Sequence, residues 1–405
     1  MKQLYITTFL VFGFIVGQTQ IVVSKPLSIL NGHSDEVVCV AISPNGKYIA
    51  TGSWDKNVNI YGGDSFKLLA KLVGHGTVVN SLAFNKDGKF LISTSNDYKA
   101  MVWSSDSGKL LYTLIGHTDN VNCGIIDFQN KTAITGSRDG TVKLWDLAKK
   151  GALLKTFTIG SNINKIALTN DGRNLIIACE KPDLLFYDMT GKLVKTYVGH
   201  KGSILSVAMA VNNKYIASAS VDKTIILWDP ISGKIVKTLT DFGNRITGAA
   251  FSRDGKYLAT SCFDGKAKIW EIESGKAVYS YQDNGMYLSD IAFSFDASFI
   301  VTAPQIRETS NNGARVFKAI EIINTQKDPG TVKPGGKNTT TSSNTRKKEK
   351  EEEEDWTAWK DPNTKQDSIA TNVNVRPKRV LTQEDSLMMQ RRKLHQDSVR
   401  AGLIR

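Results

Sequence analysis

The chain has 405 residues, with 52 Lys and Arg against 39 Asp and Glu, so its net charge is +13 at pH 7. The positive charge is spread, mostly as lysine, over many turns rather than gathered into one basic stripe, which argues against a nucleic-acid-binding surface. The cysteines and histidines lack metal-ligand spacing and no glycine-rich phosphate loop is present, so we expect no metal, no cofactor and no small-molecule substrate.

The N-terminal segment has the pattern of a secretory signal peptide. Lys2 precedes an apolar run from Leu4 to Val16, and small or polar residues follow at 17–20. The run is short for a membrane-spanning helix, which needs about 20 apolar residues. We predict a signal peptide over residues 1–20 and an exported protein, periplasmic or secreted. The alternatives are an uncleaved membrane anchor that also includes residues 21–23, or an apolar strand beside the folded domain; the alternative locations are membrane-anchored and cytoplasmic.

Four of the five histidines follow a glycine at a regular spacing. These are His33, His75, His117 and His200. An aromatic residue stands 28 residues after each, and extending this register by about 42 residues at a time gives seven units. The aromatic residues of the seven units are Tyr61, Trp103, Trp145, Tyr187, Trp228, Trp270 and Phe317. A fixed period of this length predicts a repeat architecture.

Each unit contains short apolar runs separated by turn pairs such as Asn45-Gly46 and Asp87-Gly88. Four short strands in about 42 residues make a propeller blade, and no sustained helical periodicity precedes the C-terminal tail. We therefore predict an all-β, seven-bladed propeller over residues 25–325.

The clearest unit reads Gly-Ser-Arg-Asp-Gly-Thr-Val-Lys-Leu-Trp-Asp at 136–146, and a second like it lies at 219–229. These units resemble the repeats of the WD-repeat β-propeller family, and the resemblance covers roughly residues 25–325. It implies that Pro26–Leu30 supplies the outer strand of the last blade, which closes the ring and removes an open sheet edge.

Within a blade, the His, a Ser on the second strand, the turn Asp and the Trp of the third strand can form one hydrogen-bonded relay, since each supplies a donor or an acceptor that another needs. Buried polar groups are costly unless paired, so the four residues should occur together. The full sets are His75, Ser95, Asp97 and Trp103; His117, Ser137, Asp139 and Trp145; His200, Ser220, Asp222 and Trp228. Because the set recurs in three blades, we predict a structural role and no catalytic residue.

The cysteines fall into two equivalent pairs. Cys39 and Cys123 share one position in the repeat, and Cys179 and Cys262 share another. Equivalent positions in non-adjacent blades lie beyond the ~7 Å Cα separation that a disulfide tolerates. We expect four buried thiols and no disulfide.

In the WD family, the blade ends that carry the Gly-His loops form a shallow ring around the central channel; we call this end the Gly-His-loop face. The resemblance implies that partners contact the residue before each turn Asp and the fifth residue after each His, together with nearby aromatic and Arg side chains. The candidates are Trp54, Asn96, Arg138, Val221, Phe263, Asn80, Asn122, Asn164, Arg245 and Tyr287. Trp, Tyr and Arg dominate binding hot spots. The alternative for Trp54 is a ring folded over the neighbouring blade, and for the three Asn a water-bridged channel mouth. Residues 304–313 form a longer loop on the same face, a candidate lip.

The composition changes after residue 325. A polar linker and a mixed-charge run leave too little apolar area to offset chain entropy, so we predict a disordered tail over 326–405. Trp356 and Trp359 form one apolar island, and Leu387 and Leu394 belong to a second. We expect both islands to be docking segments that order on a partner; the alternative is a solvated tail that packs loosely on the propeller.

Together these features predict a non-catalytic protein-interaction scaffold, a monomer within a larger complex, that binds protein partners through the Gly-His-loop face and the tail. We expect no nucleic-acid binding, and membrane contact only through an uncleaved leader. Two alternatives remain: a propeller-fold enzyme of unknown reaction and a cytosolic nucleic-acid-associated scaffold. Paired carboxylates converging on the channel would favour the enzyme.

Overall fold

Short strands joined by tight turns make up the part of the chain that the computed structural model describes, which is residues 21–23, 25–282, 287–305 and 312–319. Within these residues every regular element is a β-strand. The strands form seven sheets, and the prediction of an all-β, seven-bladed propeller is confirmed. The predicted signal peptide, the middle of the lip loop and the tail with Trp356, Trp359, Leu387 and Leu394 lie outside the described residues.

The strands follow one another in chain order, four to a blade. β1 (Ile21–Val23) and β2 (Ser28–Leu30) precede the first blade. Blade one contains β3 (Val37–Ile42), β4 (Tyr48–Ser53), β5 (Asn57–Gly62) and β6 (Leu68–Val73). Blade two contains β7 (Val79–Phe84), β8 (Phe90–Ser95), β9 (Lys99–Ser104) and β10 (Leu110–Ile115). Blade three contains β11 (Val121–Ile126), β12 (Thr132–Ser137), β13 (Thr141–Asp146) and β14 (Ala152–Thr158).

The second half of the ring repeats this arrangement. Blade four contains β15 (Ile163–Leu168), β16 (Asn174–Cys179), β17 (Leu184–Asp188) and β18 (Leu193–Tyr197). Blade five contains β19 (Ile204–Met209), β20 (Ile216–Ser220), β21 (Ile225–Trp228) and β22 (Ile235–Leu239). Blade six contains β23 (Ile246–Phe251), β24 (Tyr257–Cys262), β25 (Lys266–Glu271) and β26 (Lys276–Gln282). Blade seven contains β27 (Tyr287–Phe293), β28 (Phe299–Gln305) and β29 (Ala314–Lys318).

The turn between the first two strands of a blade follows from its local sequence. In blade two, Gly88 has a φ of +75°, a left-handed conformation that glycine adopts at little cost because it has no Cβ. The preceding Asp87 accepts the backbone N–H of Lys89 at Oδ1, at 3.0 Å, which holds the turn closed.

Burial depends on a strand's distance from the centre of the ring. All six residues of β4 are buried, whereas most of β6, at the outside of the same blade, is exposed. A middle strand is covered on both sides because each blade packs between two neighbours. The core therefore lies between blades: Val58 and Ile60 of blade one pack with Leu91 and Trp103 of blade two.

The ring closes through the N-terminal segment, as predicted. β2 pairs antiparallel with β29, with Ile29 opposite Arg315 and Leu30 opposite Ala314, and thus becomes the fourth strand of blade seven. The innermost strands also complete a circle, since β27 packs against β3. Blade seven is therefore built from both ends of the propeller sequence, and its sheet has no missing strand.

β1 adds a fifth strand to the outside of blade six. It runs parallel to β26, with Ile21 opposite Tyr279 and Val23 opposite Tyr281. Residues 21–23 are the ones that the membrane-anchor alternative needs to lengthen its apolar run. In the structure these three residues pair with the outer edge of blade six.

The four cysteines are buried free thiols, which confirms the prediction of no disulfide among them. Burial raises the pKa of the Cys39 and Cys123 thiols. A buried, protonated thiol is a poor nucleophile, so we assign these cysteines to packing.

Shortening a side chain of the closing strand tests this account. Leu30 is fully buried, and Leu30→Ala is expected to lower the free energy of unfolding by about 2 to 5 kcal/mol because it leaves a cavity at the seam of blades seven and one. Leu27→Ala, three residues earlier at a side chain that is 52% exposed, is the control and is expected to change stability by about 0.5 kcal/mol or less. Equal losses of unfolding free energy for the two variants, measured by urea unfolding, would contradict a closing role for β2.

Candidate functional site

A buried hydrogen-bonded relay joins the second and third strands of blade two to its Gly-His loop. His75 Nδ1 lies 2.9 Å from Asp97 Oδ2, and its Nε2 lies 2.8 Å from Ser93 Oγ. The indole N–H of Trp103 donates to the same Ser93 oxygen at 2.8 Å. The equivalent sets in blades three and five are His117, Asp139, Thr135 and Trp145, and His200, Asp222, Ser218 and Trp228.

The hydroxyl position predicted from the sequence is wrong in all three blades. The predicted residues are Ser95, Ser137 and Ser220. Trp103 lies opposite Leu91 on the neighbouring strand, and its indole reaches the diagonal neighbour Ser93, two residues further on. Ser95 lies at the end of that strand, where its Oγ accepts the backbone N–H of Asp97 at 3.1 Å. The predicted serines therefore hold the turn, and the residue two positions earlier completes the relay.

Blade one keeps most of the relay with a different aromatic residue. His33 Nε2 lies 2.7 Å from Thr51 Oγ1, and its Nδ1 lies 3.0 Å from Asp55 Oδ2. Tyr61 replaces the Trp, and its hydroxyl donates to the carbonyl of Asn31 at 3.0 Å.

Blade six replaces the histidine by an ion pair and an aromatic contact. The ring of Phe242 packs 5.2 Å from that of Trp270, whose indole N–H still donates to Thr260 Oγ1 at 3.0 Å. The buried Lys268 lies near both rings, and its Nζ is 2.6 Å from Asp241 Oδ2. The relay is thus one of several ways to satisfy the polar groups inside a blade.

Burial and hydrogen bonding shift the pKa values of the relay residues. Burial lowers the pKa of His117 and His200, and the Asp139 and Asp222 carboxylates offset only part of this effect. Burial also acts to raise the pKa of Asp55, but hydrogen bonds from His33, Ser34 and Asn57 outweigh it and lower that pKa to about 2. The relays of blades three and five therefore favour a neutral imidazole beside an ionised carboxylate.

The turn residues predicted to meet a partner lie on the Gly-His-loop face. The backbone N–H of Trp54 donates to the carbonyl of Glu36 in the Gly-His loop at 3.0 Å, which ties the two loops together. The same backbone bond recurs at Asn96, Arg138, Val221 and Phe263.

Exposure differs among these turn residues. Arg138 is exposed, with its Nε 3.8 Å from Asp119 Oδ2. Val221 is 38% exposed, and Trp54 is half-buried. Asn96 accepts a hydrogen bond from Asn80 at 2.7 Å.

The asparagines five residues after His, or at that phase, connect one blade to the next. Asn80, Asn122 and Asn164 donate from Nδ2 to the carbonyls of Val121, Ile163 and Ile204, at 3.0, 2.8 and 2.8 Å. Thr247 and Ser289 form the equivalent bonds to the carbonyls of Leu288 and Val38, both at 2.7 Å. These side chains hold the innermost strands together, a role that the sequence pattern did not predict.

Three of the predicted partner-binding residues meet in one stack between blades six and seven. The guanidinium carbon of Arg245 lies 3.8 Å from the centre of the Phe263 ring. Phe263 stacks on Tyr287 with centroids 4.2 Å apart and planes inclined by 12°. All three side chains are half-buried, and burial lowers the pKa of the Arg245 guanidinium. We call this group the Arg-aromatic stack.

A cavity of about 280 Å³ opens beside the Arg-aromatic stack. Arg245 and Phe263 form one wall, and the remaining lining residues are Leu205, Thr247, Ser289 and Gln305. The cavity therefore draws on blades five, six and seven, and combines one cation, an aromatic face and an aliphatic side chain.

The family model of the WD domain, G-beta repeat, matches residues 24–62, 66–104, 108–146, 191–229 and 233–271. These matches coincide with the blades that keep the third-strand Trp or, in blade one, Tyr61. The chain belongs to the WD-repeat family. Propellers of this family typically act as protein-interaction scaffolds without enzymatic activity. None of the curated proteins matches the chain.

The channel of this WD propeller contains two charged residues that sequence reasoning missed. Lys165 of blade four reaches Ser81 of blade two, with Nζ 3.4 Å from Oγ. Asp290 of blade seven accepts the backbone N–H of Val40 in blade one at 3.2 Å. Burial raises the pKa of Asp290, and the charge of Lys165 opposes that shift. The signal was available, because both residues occupy the position equivalent to the sixth residue after His, where the other blades have small side chains.

A metal-binding group and a membrane-spanning helix are both absent from the described part of this WD-repeat protein. Its described residues include no group of three His, Cys, Asp or Glu arranged to hold a metal ion. Among residues 21–23, 25–282, 287–305 and 312–319, no helix has the length and apolar character needed to cross a membrane.

The corrected relay is tested by two neighbouring serines. Ser93→Ala removes the partner of both His75 and Trp103 and is expected to cost about 2 to 4 kcal/mol of unfolding free energy, because two buried groups lose a hydrogen bond. Ser95→Ala removes the turn contact and the bonds to Thr77 but leaves His75 and Trp103 paired, and it is expected to cost about 1 kcal/mol. A larger loss for Ser95→Ala in urea unfolding would restore the original assignment.

The relay also predicts how stability depends on pH. Histidines whose pKa is lowered by folding contribute stability above their unfolded pKa of about 6.5 and lose it as the pH falls. Depressed carboxyl pKa values, as at Asp55, add a second loss below about pH 4. Urea midpoints should therefore fall between pH 7.5 and 5 and again between pH 4.5 and 3. His117→Asn should reduce the fall of the urea midpoint between pH 7.5 and 5. A wild-type midpoint that stays constant over this range would contradict the prediction.

Proposed function

We propose that this WD-repeat protein is a non-catalytic scaffold that binds a protein partner on its Gly-His-loop face, with the Arg-aromatic stack as the main anchor. The observation that carries the proposal is the stack itself. It places one Arg and two aromatic rings, the side chains that dominate binding hot spots, beside a cavity on a rigid surface.

The rigidity of the face supports binding. The hydrogen bonds of Thr247 and Ser289 tie blades six and seven to the following blades immediately beneath the stack. A side chain that is already held in place loses little conformational freedom when a partner arrives, so less of the binding energy is spent on ordering.

The enzyme alternative has weaker support. The His–Asp pairs repeat from blade to blade, and their hydroxyl partners are buried and engaged by Trp. In the channel, the charged neighbour of Asp290 is Lys165, whereas the acid–base chemistry considered from the sequence needs two carboxylates.

The proposal also includes the two ends of the chain. The pattern from Lys2 to Val16 supports export. The islands at Trp356 and Trp359, and at Leu387 and Leu394, support a tail that binds a second component and raises its effective concentration at the propeller. We propose a monomer within this complex, without nucleic acid.

Cross-linking in the native cell, followed by affinity capture and mass spectrometry, tests the proposal. Phe263→Ala removes the middle layer of the stack, and partners bound there are expected to fall about tenfold or more in yield, the effect of losing a hot-spot ring. A chain ending at residue 325 separates partners of the tail from those of the propeller.

The opposite end of the propeller offers a matched control. Arg253 lies over the ring of Phe295 at 3.6 Å, in turns between first and second strands, and in antiparallel sheets such turns lie at the other end from those between second and third strands. Phe295→Ala should leave the partner list intact. A partner list unchanged by Phe263→Ala in a folded protein would overturn the use of the Gly-His-loop face.

A further inference from the structure

Arg245 is held so that its charge faces the cavity without a carboxylate partner among the described residues. The guanidinium lies over Phe263, and none of the ion pairs between described residues includes Arg245. By contrast, Arg138 on the same face lies within 3.8 Å of Asp119.

Stacking fixes which part of the guanidinium is available. The contact with Phe263 is made at the guanidinium carbon, and the five N–H donors point outward along the edge of the planar group. Such an edge can donate two parallel hydrogen bonds to the two oxygens of a carboxylate. A half-buried cation is partly desolvated, so an incoming negative charge is worth more there than at an exposed Arg.

We infer that the cavity beside the Arg-aromatic stack binds the carboxylate of an acidic peptide segment in the protein partner, through the edge of Arg245. This inference rests on the proposed function and names the chemistry of the partner. Leu205 supplies an aliphatic wall for the methylene groups next to the carboxylate.

Two of the other polar residues of the cavity, Thr247 and Ser289, favour a carboxylate over a phosphate group. Thr247 and Ser289 already donate their hydroxyl protons to the carbonyls of Leu288 and Val38. They can accept hydrogen bonds but have no proton left for additional phosphate oxygens. One guanidinium also balances the single charge of a carboxylate, whereas a phosphate monoester carries about −1.5 to −2 at neutral pH.

Selection of peptides on the full-length protein tests the inference. Random twelve-residue peptides are selected in two libraries, one with free and one with amidated C-termini, and affinities are measured by fluorescence anisotropy. Peptides that lose binding to Phe263→Ala are expected to carry Asp, Glu or a free C-terminal carboxylate. If Phe263-dependent peptides are enriched only in the library with free C-termini, the recognised carboxylate is the C-terminal one. If they are enriched in both libraries, the recognised carboxylate belongs to an Asp or Glu side chain.

A double-mutant cycle then isolates the contact. Arg245→Met keeps an apolar stem over Phe263 but removes the charge, and it should weaken binding about tenfold or more. Replacing the peptide's Asp by Asn, Glu by Gln, or its terminus by an amide should have an equal effect on the wild type and almost none on Arg245→Met. Arg253→Met, at the opposite end, should bind as the wild type does.

The outcomes separate the two proposals. Peptides that need Phe263 but keep their affinity when neutralised, or bind Arg245→Met as well as wild type, overturn carboxylate recognition and leave the binding face intact. Tighter binding of a phosphoserine version than of the acidic peptide also overturns it. Failure to select any peptide that depends on Phe263 overturns both proposals.

Discussion

The packing of one blade's face against the next is the interaction on which the rest of this structure depends. Each blade has two apolar faces, and neither is covered by the blade itself, as the shared cluster of Val58, Leu91 and Trp103 shows. Seven blades cover all of these faces only when the ring is closed. Closure therefore requires β2, from the start of the propeller sequence, to pair with β29 at its end.

This packing also requires the polar groups inside each blade to be hydrogen-bonded within the blade. Between two apolar faces, the backbone and side chains of a blade must satisfy one another, and the His–Ser–Trp relay does so in blades two and five, with Thr as the hydroxyl residue in blade three. Blade six shows that the constraint is satisfaction rather than a fixed set of residues, since Lys268, Asp241 and Phe242 occupy the place of the histidine. This explains how the relay can be lost in some copies while the ring persists.

Contacts between neighbouring blades also position the residues of the Gly-His-loop face. The hydrogen bonds of Asn122, Asn164 and Thr247 connect inner strands around the channel, which fixes the turns above them. Between blades six and seven, this rigid base presents the Arg-aromatic stack and its cavity. A chemically similar pair, Arg253 over Phe295, lies at the opposite end, so residue type alone does not distinguish the two ends. Arg245 and Phe263 line a cavity, whereas the cavity at the opposite end is lined by neither Arg253 nor Phe295.

The sequence by itself determined the repeat, the number of blades and the absence of a disulfide among four buried thiols, because these follow from spacing and from which positions are equivalent. The closing strand was implied by the resemblance to the WD-repeat family. The sequence did not determine the relay hydroxyl, since Ser93 and Ser95 lie on the same side of a strand and only the register opposite Trp103 separates them. Nor did it reveal that Asn80, Asn122 and Asn164 bridge blades, or that Lys165 and Asp290 face the channel. Those roles depend on contacts between residues some 40 to more than 80 positions apart. Only the tertiary structure brings such residues within hydrogen-bonding distance, and it alone placed Arg245, Phe263 and Tyr287 in one stack.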